Sequence, residues 1–166
     1  MRAGPAVAVL VATLAAGASS AGAGPSASPS CTRPAAKTAI LASSALRRLW
    51  PTLREGGGVD TLICHDLTRD GAPDMAATIF SGGTAGDIAW VVLRRRAGRW
   101  TLALRVLQGY KLGLFRVGSD LVESTPVYRR NDPNCCPTGG FDHRRFHWTG
   151  ARFAVARRWH DTRFRP

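Results

Sequence analysis

The chain has 166 residues, in which 23 lysines and arginines stand against 11 aspartates and glutamates, for a formal net charge of +12. That length suits one domain with room for a real core. The charge implies attraction to polyanions, but no signature of base or groove readout accompanies it, so a dedicated nucleic-acid module is not indicated.

Met1-Arg2, an apolar run from Ala6 to Ala16, and Ala21-Gly22-Ala23 form the three parts of a secretory signal peptide over residues 1–23. The apolar run is too short to span a bilayer. Ser28-Pro29-Ser30 before Cys31 lacks the aliphatic residue that a lipoprotein signal places three positions ahead of its cysteine. The expectation is an exported, soluble, monomeric protein. Residues 24–30, rich in proline, serine and glycine, read as a disordered lead-in, and residues 31–166 as a single domain.

Pro34 suits the first turn of a helix, with Thr32 or Arg33 near its cap. Ala35 to Trp50 is rich in Ala, Leu and Arg, and Leu41, Ala45 and Leu49 share one stripe. Pro51 is expected to stop this helix. A short turn at Thr52 to Glu55 and the Gly56-Gly57-Gly58 release follow. The helix reads as a cover packed on a sheet.

The chemically most distinctive stretch is Asp66-Leu67-Thr68-Arg69-Asp70-Gly71-Ala72-Pro73-Asp74. Loops of the form D-x-[DN]-x-[DN]-G supply a hard cation with oxygens from alternate residues, while glycine makes the bend. Asp66, Thr68, Asp70 and Asp74 would donate side chains and Ala72 its carbonyl, with Ca²⁺ as the ion. An EF-hand is excluded, because its twelfth loop position would be Ala77, which has no ligating group. Thr61 to His65 and Met75 to Phe80 are short β-rich runs, so the loop joins two strands. An aspartate-rich hairpin turn that caps its own backbone is the alternative. Over roughly residues 60 to 80 the chain resembles the FG-GAP and VCBS-type repeats of secreted bacterial proteins, whose calcium loops read D-x-[DNT]-x-D-G-x-x-D before a hydrophobic strand. The resemblance implies Asp66, Thr68, Asp70 and Asp74 as calcium ligands. It occurs once, whereas a propeller needs several repeats.

Beyond the loop, strand follows strand. Ile88 to Leu93 is almost continuously hydrophobic, as expected of a strand covered on both faces. Trp100, Leu102, Leu104 and Val106 alternate with Thr101, Ala103 and Arg105, the period of a half-buried strand. Leu112 to Val117, Leu121 to Tyr128, and a final hairpin of Arg144 to Trp148 and Arg152 to Trp159 complete the series. With no helices between them these strands imply an antiparallel sheet. The expected fold is α+β: an N-terminal helix packed on a curved antiparallel meander of about six to eight strands, stapled by disulfides.

Cys31, Cys64, Cys135 and Cys136 are an even set in an exported chain and read as two disulfides. Neighbouring Cα atoms lie only about 3.8 Å apart, so Cys31 and Cys64 are each expected to take one of Cys135 and Cys136. Zinc is rejected, because His143 and His147 on one strand would stand roughly 13 Å apart.

Three functional readings remain. The first is a secreted, non-enzymatic binding module with a calcium loop, whose basic surface meets an anionic envelope polymer. Its candidate contacts are Arg94, Arg95, Arg96 and Arg99 on one hairpin, and Arg144, Arg145, Arg157 and Arg158 on the last. The second is a small ribonuclease-like hydrolase using Glu123, His143 and His147 as acid and base, although no catalytic motif is present. The third is an inhibitor that presents the Cys135-Cys136 loop to an acidic or enzymatic protein partner.

Overall fold

A computed structural model describes residues 30–165. The expected signal segment over residues 1–23 and residues 24–29 of the expected lead-in lie outside the described residues. Thr32 caps the first helix, α1 (Arg33–Ala42), by accepting from the Ala35 N–H, and Pro34 sits in the first turn. The helix then breaks at Ser43, which is extended. Adjacent serines compete for backbone hydrogen bonds and so disfavour helix interiors. The chain continues as a 3-10 helix at Ser44–Leu49 and a second α-helix, α2 (Trp50–Arg54).

Two helical expectations are thereby corrected. Pro51 does not stop a helix but lies in the first turn of α2, where its missing N–H would have had no helical acceptor. The break also changes the phase of the buried stripe. Ala36, Ile40, Leu46, Leu49 and Leu53 face inward, while Ala45 is exposed.

Eight strands follow in two sheets. The first is β1 (Gly58–His65), β2 (Asp74–Phe80), β3 (Asp87–Arg96) and β4 (Arg99–Val106), in that order. The second is β5 (Gly113–Val117), β6 (Asp120–Pro126), β7 (Phe141–Trp148) and β8 (Phe153–Asp161). All neighbours pair antiparallel. The protein is mostly β, and the single curved meander expected from sequence is instead two four-stranded sheets.

Two cores lie on the two faces of the first sheet. Ala36, Ile40, Leu46, Leu49 and Leu53 from the helical segment pack with Met75, Ala77, Ile79, Ala89, Val91 and Leu93. On the opposite face Ala76, Trp90 and Val92 meet Leu114, Leu121, Phe146, Trp148 and Phe153 of the second sheet and its flanks. Strands β2 and β3 are therefore buried on both sides, which is why Ile88 to Leu93 lacks alternation. Each fully buried Leu, Ile or Val on either face contributes about 1.5–3 kcal/mol.

The register of β4 departs from its clean sequence period. Val92 pairs with Leu104 but Leu93 pairs with Leu102, so Ala103 is an extra residue. The extra residue switches parity. Trp100 and Leu102 pack toward the helices, Leu104 and Val106 toward the second sheet.

The cysteine pairing also differs from expectation. Cys31 bonds Cys64, with their Cα atoms 6.0 Å apart, and Cys135 bonds Cys136. Cys31 directly precedes α1, which packs on β1, and β1 carries Cys64. Helix docking thus brings these two thiols within disulfide reach. Cys135 and Cys136 sit in the loop between β6 and β7, in the second sheet, and are left with each other. Asp132 organises that loop by accepting from the Arg129 and Thr138 N–H groups, and Asn134 is held by Tyr110, Tyr128 and Lys111.

Candidate functional site

The Asp66 to Asp74 loop connects β1 to β2 and folds largely on its own backbone. Asp66 accepts from the Asp70 and Gly71 N–H groups, both at 3.0 Å. Asp74 Oδ2 accepts from the Leu67 and Thr68 N–H groups at 3.0 and 2.8 Å. Asp70 takes the Ala72 N–H on one oxygen and the Arg94 guanidinium, at 2.9 Å, on the other. Arg69 and Gly71 adopt left-handed backbone, with φ of 57° and 83°, which the glycine accommodates without cost.

Two polar atoms in this loop lack a hydrogen bond of good geometry, although the Thr68 hydroxyl stands close enough to Asp70 and Asp74 to lower both carboxyls. Thr68 Oγ1 and Asp74 Oδ1 are both buried, and their residues are 4% and 0% exposed. Leaving such an oxygen unsatisfied costs about 1–3 kcal/mol. Burial pushes the Asp74 carboxyl above its ordinary range, while the Arg94 hydrogen bond holds that of Asp70 below it. The donor set therefore fits a hard cation in part: the Thr68 hydroxyl and Asp74 Oδ1 stand together near Asp70 with no well-formed bond, but one carboxylate oxygen of Asp70 is engaged by Arg94. Among the described residues no three acidic, histidine or cysteine side chains converge on one point.

The eight candidate arginines divide into two groups. Arg94 bonds Asp70 and lies over the Trp148 ring, 5.0 Å from its centroid. Arg144 donates Nε and Nη2 to Glu123 Oε1, at 2.9 and 2.6 Å. Arg145 donates to Asp120 at 2.7 Å. These three hold the fold together. Arg95, Arg96, Arg99, Arg157 and Arg158 have no carboxylate partner among the described residues. On the last hairpin Arg144 stands opposite Arg158 and Arg145 opposite Arg157. Like charges facing each other across strands are unfavourable, and Arg157 lies over the Trp159 ring at 5.2 Å.

The residues proposed for acid–base chemistry have structural partners. Glu123, 3% exposed, accepts from the Trp90 indole at 2.5 Å as well as from Arg144, joining the two sheets through the core. His147 Nδ1 lies 2.7 Å from Asp120. Burial pushes the Asp120 carboxyl up, but its bonds to His147 and Arg145 outweigh that and leave it below its ordinary range.

His143 stands between Ser124 and Asp161: Nδ1 is 2.7 Å from Ser124 Oγ, and Nε2 is 3.3 Å from Asp161 Oδ1. Serine, histidine and aspartate in a row suggest nucleophile activation. Here the hydroxyl end is sealed, with Ser124 0% and His143 1% exposed, and the Trp159 ring stacked on the imidazole at 4.8 Å. The solvent-facing end is Asp161. Sequence reasoning singled out His143 but neither Ser124 nor Asp161. No local spacing links the three, because strand pairing sets Ser124 opposite His143 and the following strand supplies Asp161.

Compared with known protein families, curated protein sequences and solved structures, the chain matches none of them. Among the described residues no helix is long and apolar enough to cross a membrane.

Proposed function

We propose that the protein is a secreted, non-enzymatic binding module in which Ca²⁺ organises the Asp66 to Asp74 loop, and unpaired arginines hold an anionic envelope polymer. The observation that carries this reading is the division among the arginines. Arg94, Arg144 and Arg145 are committed to carboxylates, whereas Arg95, Arg96, Arg99, Arg157 and Arg158 have no such partner among the described residues. An anionic polymer would supply the missing counter-charge.

The calcium part rests on the buried Thr68 Oγ1 and Asp74 Oδ1, which stand together with no well-formed hydrogen bond, and on the FG-GAP-type spacing of Asp66, Thr68, Asp70 and Asp74. Asp66, Asp70 and the Ala72 carbonyl would complete the set, and a bound ion would supply charge that favours an ionised Asp74. Secretion rests on the signal-like residues 1–23. The sealed Ser124 hydroxyl and the occupied Glu123 and His147 argue for binding over hydrolysis.

Retention on an immobilised anionic polymer tests the reading. It should fall steeply with added salt, since exposed charges are screened over about 8 Å at physiological ionic strength. Replacing Arg95, Arg96 and Arg99 by serine should weaken retention without lowering the melting temperature. Equal loss on replacing Arg47, Arg48 and Arg54, on the helical side, would reduce the effect to net charge and remove the site.

A further inference from the structure

A groove of about 740 Å³ opens between α1 and the β3–β4 hairpin. Its walls are Ala35, Ala39 and Ala42 of α1 and Leu93, Trp100 and Leu102 of the sheet. The groove exists because α1 packs on β1 and β2 and turns only small side chains, Ala35, Thr38, Ala39 and Ala42, toward β4. These do not fill the space before Trp100 and Leu102, which border the helical core but stay only half-buried. Small-molecule sites have this character, with volumes of about 300–1,000 Å³ and a mostly apolar lining carrying a few polar groups.

The polar groups indicate what the occupant carries. Arg99 lines the groove and has no carboxylate partner among the described residues. The neighbouring Trp100 indole N–H is buried without an acceptor. The groove therefore combines an apolar trough with a free guanidinium, which together lack an anionic oxygen attached to an apolar body.

We propose that this groove binds a small anionic amphiphile, with its chain along Ala35, Ala39, Trp100 and Leu102 and its head against Arg99. This site does not involve the calcium loop; it shares Arg99 with the polymer reading, but saturable uptake of a short amphiphile at one per chain is read separately from retention on a polymer. The chain's own lead-in is a poor filler, because Gly24-Pro25-Ser26-Ala27-Ser28-Pro29 has no side chain larger than proline.

The test titrates the protein with laurate and dodecyl phosphate below their micelle concentrations and with dodecanol below its solubility limit, read by tryptophan fluorescence and calorimetry. Laurate and dodecyl phosphate should each bind saturably at one per chain, and the tighter of the two identifies the head group. Dodecanol should bind at least about tenfold more weakly. Trp100→Phe should remove the fluorescence change while calorimetric binding persists. Ala39→Leu narrows the trough, and Thr38→Trp crowds its exposed margin; each should weaken laurate at least about tenfold. No saturable binding overturns the proposal. Equal affinity for dodecanol overturns the anionic head, and unchanged affinity in both Ala39→Leu and Thr38→Trp overturns the location. Two further results would replace the amphiphile with another occupant. One is binding only by a chain that starts at Ser30, which would assign the groove to the lead-in. The other is a dimer that Thr38→Trp dissociates, which would assign it to a second copy.

Discussion

Asp74 shows how one side chain serves opposite roles. It anchors the loop through two backbone N–H groups on one oxygen, while the other oxygen is buried without a well-formed hydrogen bond. In the ion-free protein Asp74→Asn should therefore be tolerated or mildly stabilising at neutral pH, because the amide oxygen still accepts both bonds and no charge is buried. The same substitution should abolish any calcium-induced rise in melting temperature, as should Asp70→Ala. Asp87→Ala, outside the loop, should leave that rise intact. For wild type, Ca²⁺ at a hundredfold excess over Kd corresponds to about 2.7 kcal/mol of stabilisation. Thermal melts with and without several millimolar Ca²⁺ give the answer, and a wild type that does not respond reduces Asp66 to Asp74 to a turn. Glu123 is the contrasting case, a buried carboxylate with every oxygen occupied. Arg144→Ala should cost about 3–5 kcal/mol by leaving that charge unpaired. Adding Glu123→Gln should recover part of the loss, measurable by urea unfolding of the single and double variants.

At the scale of elements, the two disulfides play unequal parts. Cys31–Cys64 spans 33 positions and ties the start of α1 to β1, whereas Cys135–Cys136 encloses no loop of chain. Since cross-links stabilise mainly by restricting the unfolded chain, losing the first should cost about 2–5 kcal/mol. Cys31→Ser with Cys64→Ser should thus lower the melting temperature clearly, and Cys135→Ser with Cys136→Ser far less. Comparable losses from both pairs would contradict this assignment. The same elements mark where sequence is informative. Strand identity and the double burial of Ile88 to Leu93 were legible, because periodicity and its absence report directly on faces. The Ala103 bulge was not, since one extra residue leaves alternation intact in the sequence and changes only which side each half faces. The break at Ser43 was hidden for a related reason, because Ala35 to Trp50 keeps helical composition across it. Cysteine pairing depended on helix docking, which no local pattern encodes. Within the candidate site the loop spacing was visible, but the commitment of Arg94, Arg144 and Arg145 to carboxylates was not. Those partners come from other strands or loops.

For the whole molecule, titration pulls in two directions. Burial raises the carboxyls of Asp74 and Asp87 above their ordinary value of 3.8. A group whose folded value is raised contributes stability fully below its unfolded value and loses it as pH rises through the folded one. The Arg94 bond lowers Asp70, and backbone N–H groups lower Asp132 and Asp161. These contribute above the unfolded value and lose that contribution as pH falls through the folded one. Ion-free stability should therefore change less across the acid limb than the lowered group alone would produce. Asp87→Asn should steepen the acid loss, because it removes one opposing contribution. Melting temperatures between pH 3 and 6, a range chosen to bracket the ordinary carboxylate values, would show it, and an unchanged slope would contradict the assignment.

The double cover of β2 and β3 has a kinetic corollary. Amide protons on these strands can meet water only when both cores open, so their exchange should report the global unfolding free energy. Amides of β4 lie on the sheet's outer edge, with the groove beside them, and should exchange through a smaller local opening. The protein would then loosen from its β4 side inward, and anything that fills the trough beside Trp100 would slow exchange there first.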